Sequence, residues 1–304
     1  MNRGRKSVLV LIARILQSVP PILLNWIELY FKKFNIKQYP IIFIISAPRS
    51  GSTLTYQILS KGIRSQYFTN LWNLLYSVPL IGGLLSLDKT SSKNDFVSDR
   101  GLVDGVYGQA EGLKFWKYWI GQGLEQKQKN NIRISRIKYL RKVFGRLLSK
   151  RSPLIISFLG HAFCIDLLRI IFPGCIFLYL KRDKLSNIYS MYKIGQEFEW
   201  FSLKSYGWKE ALKLDSHSRY IWQYNQISKT IESQISPDDT LLVNYEKICQ
   251  DPKGFLKEIK LFCRKKNIEI ELTLEGIPDV FEISKVTEDD NCDAKQISDI
   301  LNNG

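Results

Sequence analysis

Arg49, Ser50, Gly51, Ser52 and Thr53 form a run whose residue types suit one task, the gripping of an oxyanion. A guanidinium presents a planar pair of donors to a phosphate or sulfate. Three hydroxyls add further donors, and a glycine lets the anion approach backbone N–H groups closely. A second cation and hydroxyl, Arg182 and Ser190, stand eight residues apart later in the chain and could close on another phosphate.

Such groups work only if regular elements place them. Ile41–Ile45 is an apolar, mostly β-branched run, which predicts a strand buried on both faces. A break at Ala47–Thr53 follows, then a helical pattern with Leu54, Ile58 and Leu59 on one side. Strand, small-residue loop and helix together aim several N–H groups and a positive dipole end at one anion. A nucleotide-hydrolysing loop reads GxxxxGK[ST]; here Ser46 stands at the first glycine and Ser52 at the lysine, so the parts that hold a triphosphate and its metal are lost.

The second pair has the same setting. Cys175–Leu180 predicts a strand ending in Lys181-Arg182, and Lys184–Lys193 a helix that puts Ser186 and Ser190 on one face. The carboxyl ends of parallel strands are where open α/β sheets bind ligands. Further strands are expected at Leu154–Leu159 and Thr240–Val243, with helices at Ala162–Phe172, within Glu199–Glu232 and at Asp251–Lys265. This alternation implies an α/β fold of one domain, a mainly parallel sheet with helices on both faces. Asp88–Gly108 reads as a long polar surface loop, Glu111–Trp119 as an aromatic helix, and Gln122–Lys150 as a basic, solvated helix face.

Among 304 residues, 44 Lys and Arg stand against 29 Asp and Glu, a net charge of +15 that implies an anionic partner. Five cysteines without a CxxC, and two histidines, His161 and His217, argue against a disulfide framework and a zinc or His-rich metal site. With no N-glycosylation sequon present, a cytoplasmic location is expected. Residues 1–38 read as an amphipathic N-terminal helical segment, with residues 8–31 able to lie on a membrane surface. A signal anchor is the alternative, against which Arg14, Gln17 and Pro20-Pro21 interrupt the apolar run.

In these motifs the chain resembles the sulfotransferases that use 3′-phosphoadenosine-5′-phosphosulfate (PAPS), closest to the bacterial carbohydrate-type and tyrosylprotein-type branch. Pro48–Thr53 looks like their 5′-phosphosulfate loop, and Arg182 with Ser190 like their 3′-phosphate pair. Tyr245-Glu246 followed by Asp251-Pro252 looks like the element whose tyrosine lies near the adenine. The resemblance implies a nucleotide-kinase-like sheet of about five strands, a sulfotransferase domain over residues 39–304, PAPS as co-substrate without a metal, and a hydroxyl acceptor rather than nucleic acid. Departures are Leu54 in place of a stacking tryptophan, and Lys285 as the one stand-in for a C-terminal phosphate clamp.

Arg49 would stabilise charge on the leaving phosphate, and the acceptor hydroxyl needs a general base, for which Glu111 and His161 are the two candidates. Aromatics in Phe68–Tyr76 and Phe115–Trp119 suit a sugar ring, so a glycan or glycolipid is the expected acceptor. Two other classes fit parts of the pattern: a small-molecule kinase, and a basic binder of membrane or nucleic acid without catalysis.

Overall fold

A computed structural model of the chain describes residues 40–86, 96, 103–127, 132–148, 153–198 and 201–303. The N-terminal segment and most of the loop expected at Asp88–Gly108 lie outside these.

The sheet has five strands, all parallel, in the order β2-β3-β1-β4-β5. They are β1 (Ile41–Ser46), β2 (Gln66–Tyr67), β3 (Leu154–Ser157), β4 (Ile176–Lys181) and β5 (Thr240–Asn244). β1 is central, and its apolar run is explained by what its two faces meet. Ile41, Phe43 and Ile45 enter one core with Phe115, Trp116, Phe144, Leu168 and Ile227. Ile42 and Ile44 enter the other with Tyr56, Leu59, Tyr245, Phe255 and Ile259. Each such side chain taken out of water contributes roughly 1.5–3 kcal/mol, so a strand buried on both sides has no polar position to spare.

The helices are α1 (Ser52–Gly62), α2 (Asn70–Leu74), α3 (Pro79–Ser86), α4 (Leu113–Trp119), α5 (Ile134–Leu147), α6 (Ile165–Ile171), α7 (Lys184–Phe198), α8 (Trp208–Ala211), α9 (Ser216–Glu232), α10 (Tyr245–Gln250), α11 (Pro252–Lys265) and α12 (Cys292–Asn303). Helix α5 presents Arg136, Lys138 and Lys142 to solvent and buries Tyr139, Leu140, Val143 and Phe144. The strand expected to reach Leu159 ends at Ser157, and a 3₁₀ turn over Leu159–Phe163 delays the following helix to Ile165.

Of the aromatics expected to meet a sugar, Phe68, Trp72, Phe115 and Trp116 have no exposed surface and Trp119 has 3%. They stack on each other, Phe68 on Trp72 at 4.5 Å between centroids, because the broad apolar face of the sheet demands large side chains. These five are core. Among the described residues no helix is long and apolar enough to cross a membrane.

After β1 the chain crosses to β2 and β3 on one side, and only then to β4 on the other. The crevice between the carboxyl ends of β1 and β4 is therefore the sheet's topological switch point, where α/β sheets bind ligands.

Candidate active site

Two loops meet at that crevice. Between β1 and α1, the backbone turns at Arg49 (φ 65°) and Gly51 (φ 87°), both left-handed. Gly51 precedes α1, takes no side-chain cap, and its carbonyl accepts from Thr55 N and Thr55 Oγ1, each at 3.1 Å. A Cβ at Gly51 would stand 2.2 Å from the ring of Tyr245, so only glycine fits. The first N–H groups of α1, from Ser52 and Thr53, have no intrahelical partner and open toward the crevice.

Arg49 is exposed, and its Nε donates to Ser190 Oγ at 3.1 Å. Its carbonyl accepts from Arg182 Nη1 at 3.0 Å. The Arg182 guanidinium lies over the Tyr245 ring, 5.1 Å from the centroid, and its Nη2 donates to the Ser284 carbonyl. Among the described residues its Nε is buried without a partner. Burial, and then the neighbouring Arg182 charge, lower the pKa of Arg49. Among the described residues neither guanidinium is paired with a carboxylate. Two cations held together in this way are mutually unfavourable until an anion arrives.

Helix α7 supplies the other wall. Asn187 Nδ2 donates to the buried Ser50 Oγ at 2.7 Å, pinning the loop to the helix, and among the described residues Asn187 Oδ1 is buried without a partner. Asn187 escaped the sequence reading because one asparagine between two serines carries no motif; its place on the helix was the available signal. Ser186 shares the face of Ser190 but does other work. Its N and Oγ donate to Asp183 Oδ1, and Oγ accepts from Val286 N at 2.9 Å. Glu246 braces the same turn by accepting from Asp183 N at 2.9 Å. Tyr245 forms the floor under Gly51 and Arg182, and burial pushes its phenol up to about 12. Lys285 is exposed, next to the Ser284 carbonyl that holds Arg182.

The two base candidates part company. Glu111 precedes the left-handed Gly112 that leads into α4, and burial pushes its carboxyl up to about 7. It is close enough to the buried Tyr56 hydroxyl to raise that group too. The Tyr56 hydroxyl donates to the Phe68 and Ile155 carbonyls, so Glu111 lies on the β2–β3 side of α1. His161 is instead fully buried in the core, with ring centroids 5.1 Å from Phe43, 4.5 Å from Trp116 and 5.1 Å from Phe158. Burial pulls it down to about 3, and among the described residues neither ring nitrogen has a partner. The structure gathers Arg49, Ser50, Gly51, Ser52, Thr53, Arg182, Ser190 and Tyr245 at one crevice, sets Glu111 near Tyr56 of α1, and leaves His161 in the core.

A family model described as the sulfotransferase family matches residues 40–266. No curated protein matches the chain in sequence. Solved structures that align with it include sulfotransferase STF1 from Mycobacterium tuberculosis H37Rv, 15% identical over 98% of this chain and 80% of that one, with a TM-score of 0.47. Sulfotransferase STF9 from Mycobacterium avium is 12% identical over 88% of this chain and 69% of that one, also with a TM-score of 0.47. A sulfotransferase from Alicyclobacillus acidocaldarius is 12% identical over 88% and 92%, with a TM-score of 0.42.

Proposed function

This chain belongs to the sulfotransferase family, and from that premise we propose that it transfers the sulfuryl group of PAPS to a hydroxyl acceptor, with Glu111 as general base. The observation that carries the reading is the juxtaposition of two guanidiniums, Arg49 and Arg182, unpaired by any described carboxylate, at the mouth of a strand–loop–helix anion site. One doubly phosphorylated nucleoside supplies enough negative charge for both.

In this reading Arg49 and the N–H groups of Ser52 and Thr53 hold the phosphosulfate end, while Arg182 and Ser190 Oγ hold the 3′-phosphate over Tyr245. Glu111 takes the proton from the acceptor hydroxyl as its oxygen bonds to sulfur and the bond from sulfur to the 5′-phosphate oxygen breaks. Arg49 and the loop stabilise the charge that gathers on that leaving oxygen. Fixed guanidinium and helix charge supply what a metal would otherwise provide. His161, neutral and enclosed by three rings, is read as core.

The acceptor is read as a glycan or glycolipid hydroxyl. Its support is narrower than the sequence implied, resting on Tyr76 and Tyr118, which are partly exposed and 5.2 Å apart. Residues 39–304 are read as one unit, because the chain beyond the matched region returns to Arg182 and Ser186. The five cysteines are free, which supports a cytoplasmic setting, with residues 8–31 as the proposed membrane contact.

Thermal shift with adenosine 3′,5′-bisphosphate tests the donor. The bisphosphate raises Tm in the presence of a chelator, by about 2.7 kcal/mol of stabilisation at a hundred times Kd, and Arg182→Ala removes most of that rise. A larger rise with ATP and Mg²⁺ would move the chain to the kinase reading.

A further inference from the structure

The chain beyond α11 comes back to the donor end of the sheet. Phe281 N donates to the Cys249 carbonyl at 2.8 Å, the Ser284 carbonyl accepts from Arg182, and Val286 N donates to Ser186 Oγ at 2.9 Å. Residues 281–286 thus form a strap from α10, past Arg182, to the first turn of α7. A tight turn follows, with Thr287 N donating to Asp290 Oδ2 at 2.5 Å and Asp290 N to the Thr287 carbonyl at 3.2 Å. Asn291 Oδ1 then caps α12 by accepting from Ala294 N, and Asn291 Nδ2 donates to Tyr189 Oη at 3.0 Å. Strap and helix are therefore stiffly joined.

Helix α12 lies on α7 and α9, with Ala294 and Ile297 fully buried and Ile297 in a cluster with Ile188, Met191, Tyr220 and Ile221. Apolar burial docks a helix but sets its position along the partner only loosely. Here a polar cluster sets it. Asp293 Oδ1 is 2.9 Å from His217 Nε2 on α9 and accepts from Tyr192 Oη on α7 at 3.1 Å. The Tyr192 ring stacks on the imidazole at 4.6 Å and 23°. Meanwhile two carbonyls, of Arg49 and of Ser284, fix the plane of the Arg182 guanidinium and leave Nε unpartnered. One of the two belongs to the strap.

We propose that Asp293, with His217 and Tyr192, is the latch of this strap: a positioning residue that holds the Ser284 carbonyl against Arg182 and so sets how long the doubly phosphorylated nucleoside stays bound. The proposal rests on reading the Arg49–Arg182 crevice as the donor site. It assigns a role to a side-chain cluster midway along α7 that the donor reading does not use.

The test uses the full chain and adenosine 3′,5′-bisphosphate, measuring affinity and dissociation rate beside the kinetics of transfer. Asp293→Ala is expected to weaken binding about tenfold, the scale of one charged hydrogen bond, mainly through faster release. KM for PAPS rises in step, while kcat and the acceptor KM stay within about twofold. Asp293→Asn, which keeps an oxygen for Tyr192, restores part of the loss. Tyr192→Phe removes one hydroxyl, keeps the ring on His217, and gives a smaller shift of the same kind; it carries the test if Asp293→Ala does not fold. Ser186→Ala loosens the strap's other end, so combining it with Asp293→Ala costs less than the product of the two losses. If wild type binds and Arg182→Ala does not, yet both latch variants release at the wild-type rate, the latch is overturned alone. If wild type does not bind the bisphosphate, the donor reading falls and the latch with it.

Discussion

As the proposed general base, Glu111 must be basic enough to take a proton and yet be charged at working pH, and burial sets that balance. With its carboxyl pushed up to about 7, it is a much stronger base than an exposed glutamate and is ionised only from neutral pH upward. The turnover rate is therefore expected to rise with pH through a midpoint near 7, and Glu111→Gln to lower it by about 10²-fold or more and flatten that rise. Stability carries the opposite sign. The folded state holds the proton more tightly than the unfolded chain, whose value is near 4.5. The contribution is complete below that value and is lost as pH climbs through 7. Melting curves should show the wild type losing ground to Glu111→Gln between about pH 4.5 and 7. The sequence offered both Glu111 and His161 as the base, with Glu111 only slightly ahead. Three aromatic rings around His161 separate them, and two of those rings, Phe43 and Trp116, come from positions far away in the chain.

At the scale of elements, the anion loop works because α1 starts without a side-chain cap and β1 ends without a charge of its own. Gly51 carries most of this design. Its φ of 87° costs a residue with a Cβ about 1–2 kcal/mol, and the Tyr245 ring occupies the space that Cβ needs. Gly51→Ala is expected to lower stability by at least that amount and bisphosphate affinity by more than tenfold, because loop and ring must separate. Calorimetric titration beside a melting curve measures both. The loop, its helix and the Arg182–Ser190 element were legible in the chain, because a buried strand, a small-residue turn and a strand-end cation are local patterns. The bond from Asn187 to Ser50 was not, for it joins two elements that only the sheet order brings together.

The molecule as a whole carries +15, more than its donor crevice can account for. Such a field draws a polyanionic donor toward the crevice before any contact is made. Salt screens it, with a Debye length of about 10 Å at 0.1 M. Initial-rate assays should then show kcat/KM for PAPS falling several-fold between roughly 0.05 and 0.5 M salt while kcat holds nearly constant. A salt-insensitive kcat/KM would mean that the surface charge serves another partner.

By itself the sequence determined the α/β alternation, the two-sided burial of β1 and the placing of two anion-binding groups at strand ends. Each of these follows from residue types within a few positions of one another. Tertiary structure alone decided that Arg49 and Arg182 share one crevice, that five large rings of the aromatic stretches are core, that three rings enclose His161, and that the last described helix returns to α7. All four depend on which strands are neighbours and which helix covers which face, and no local pattern encodes the order of a sheet.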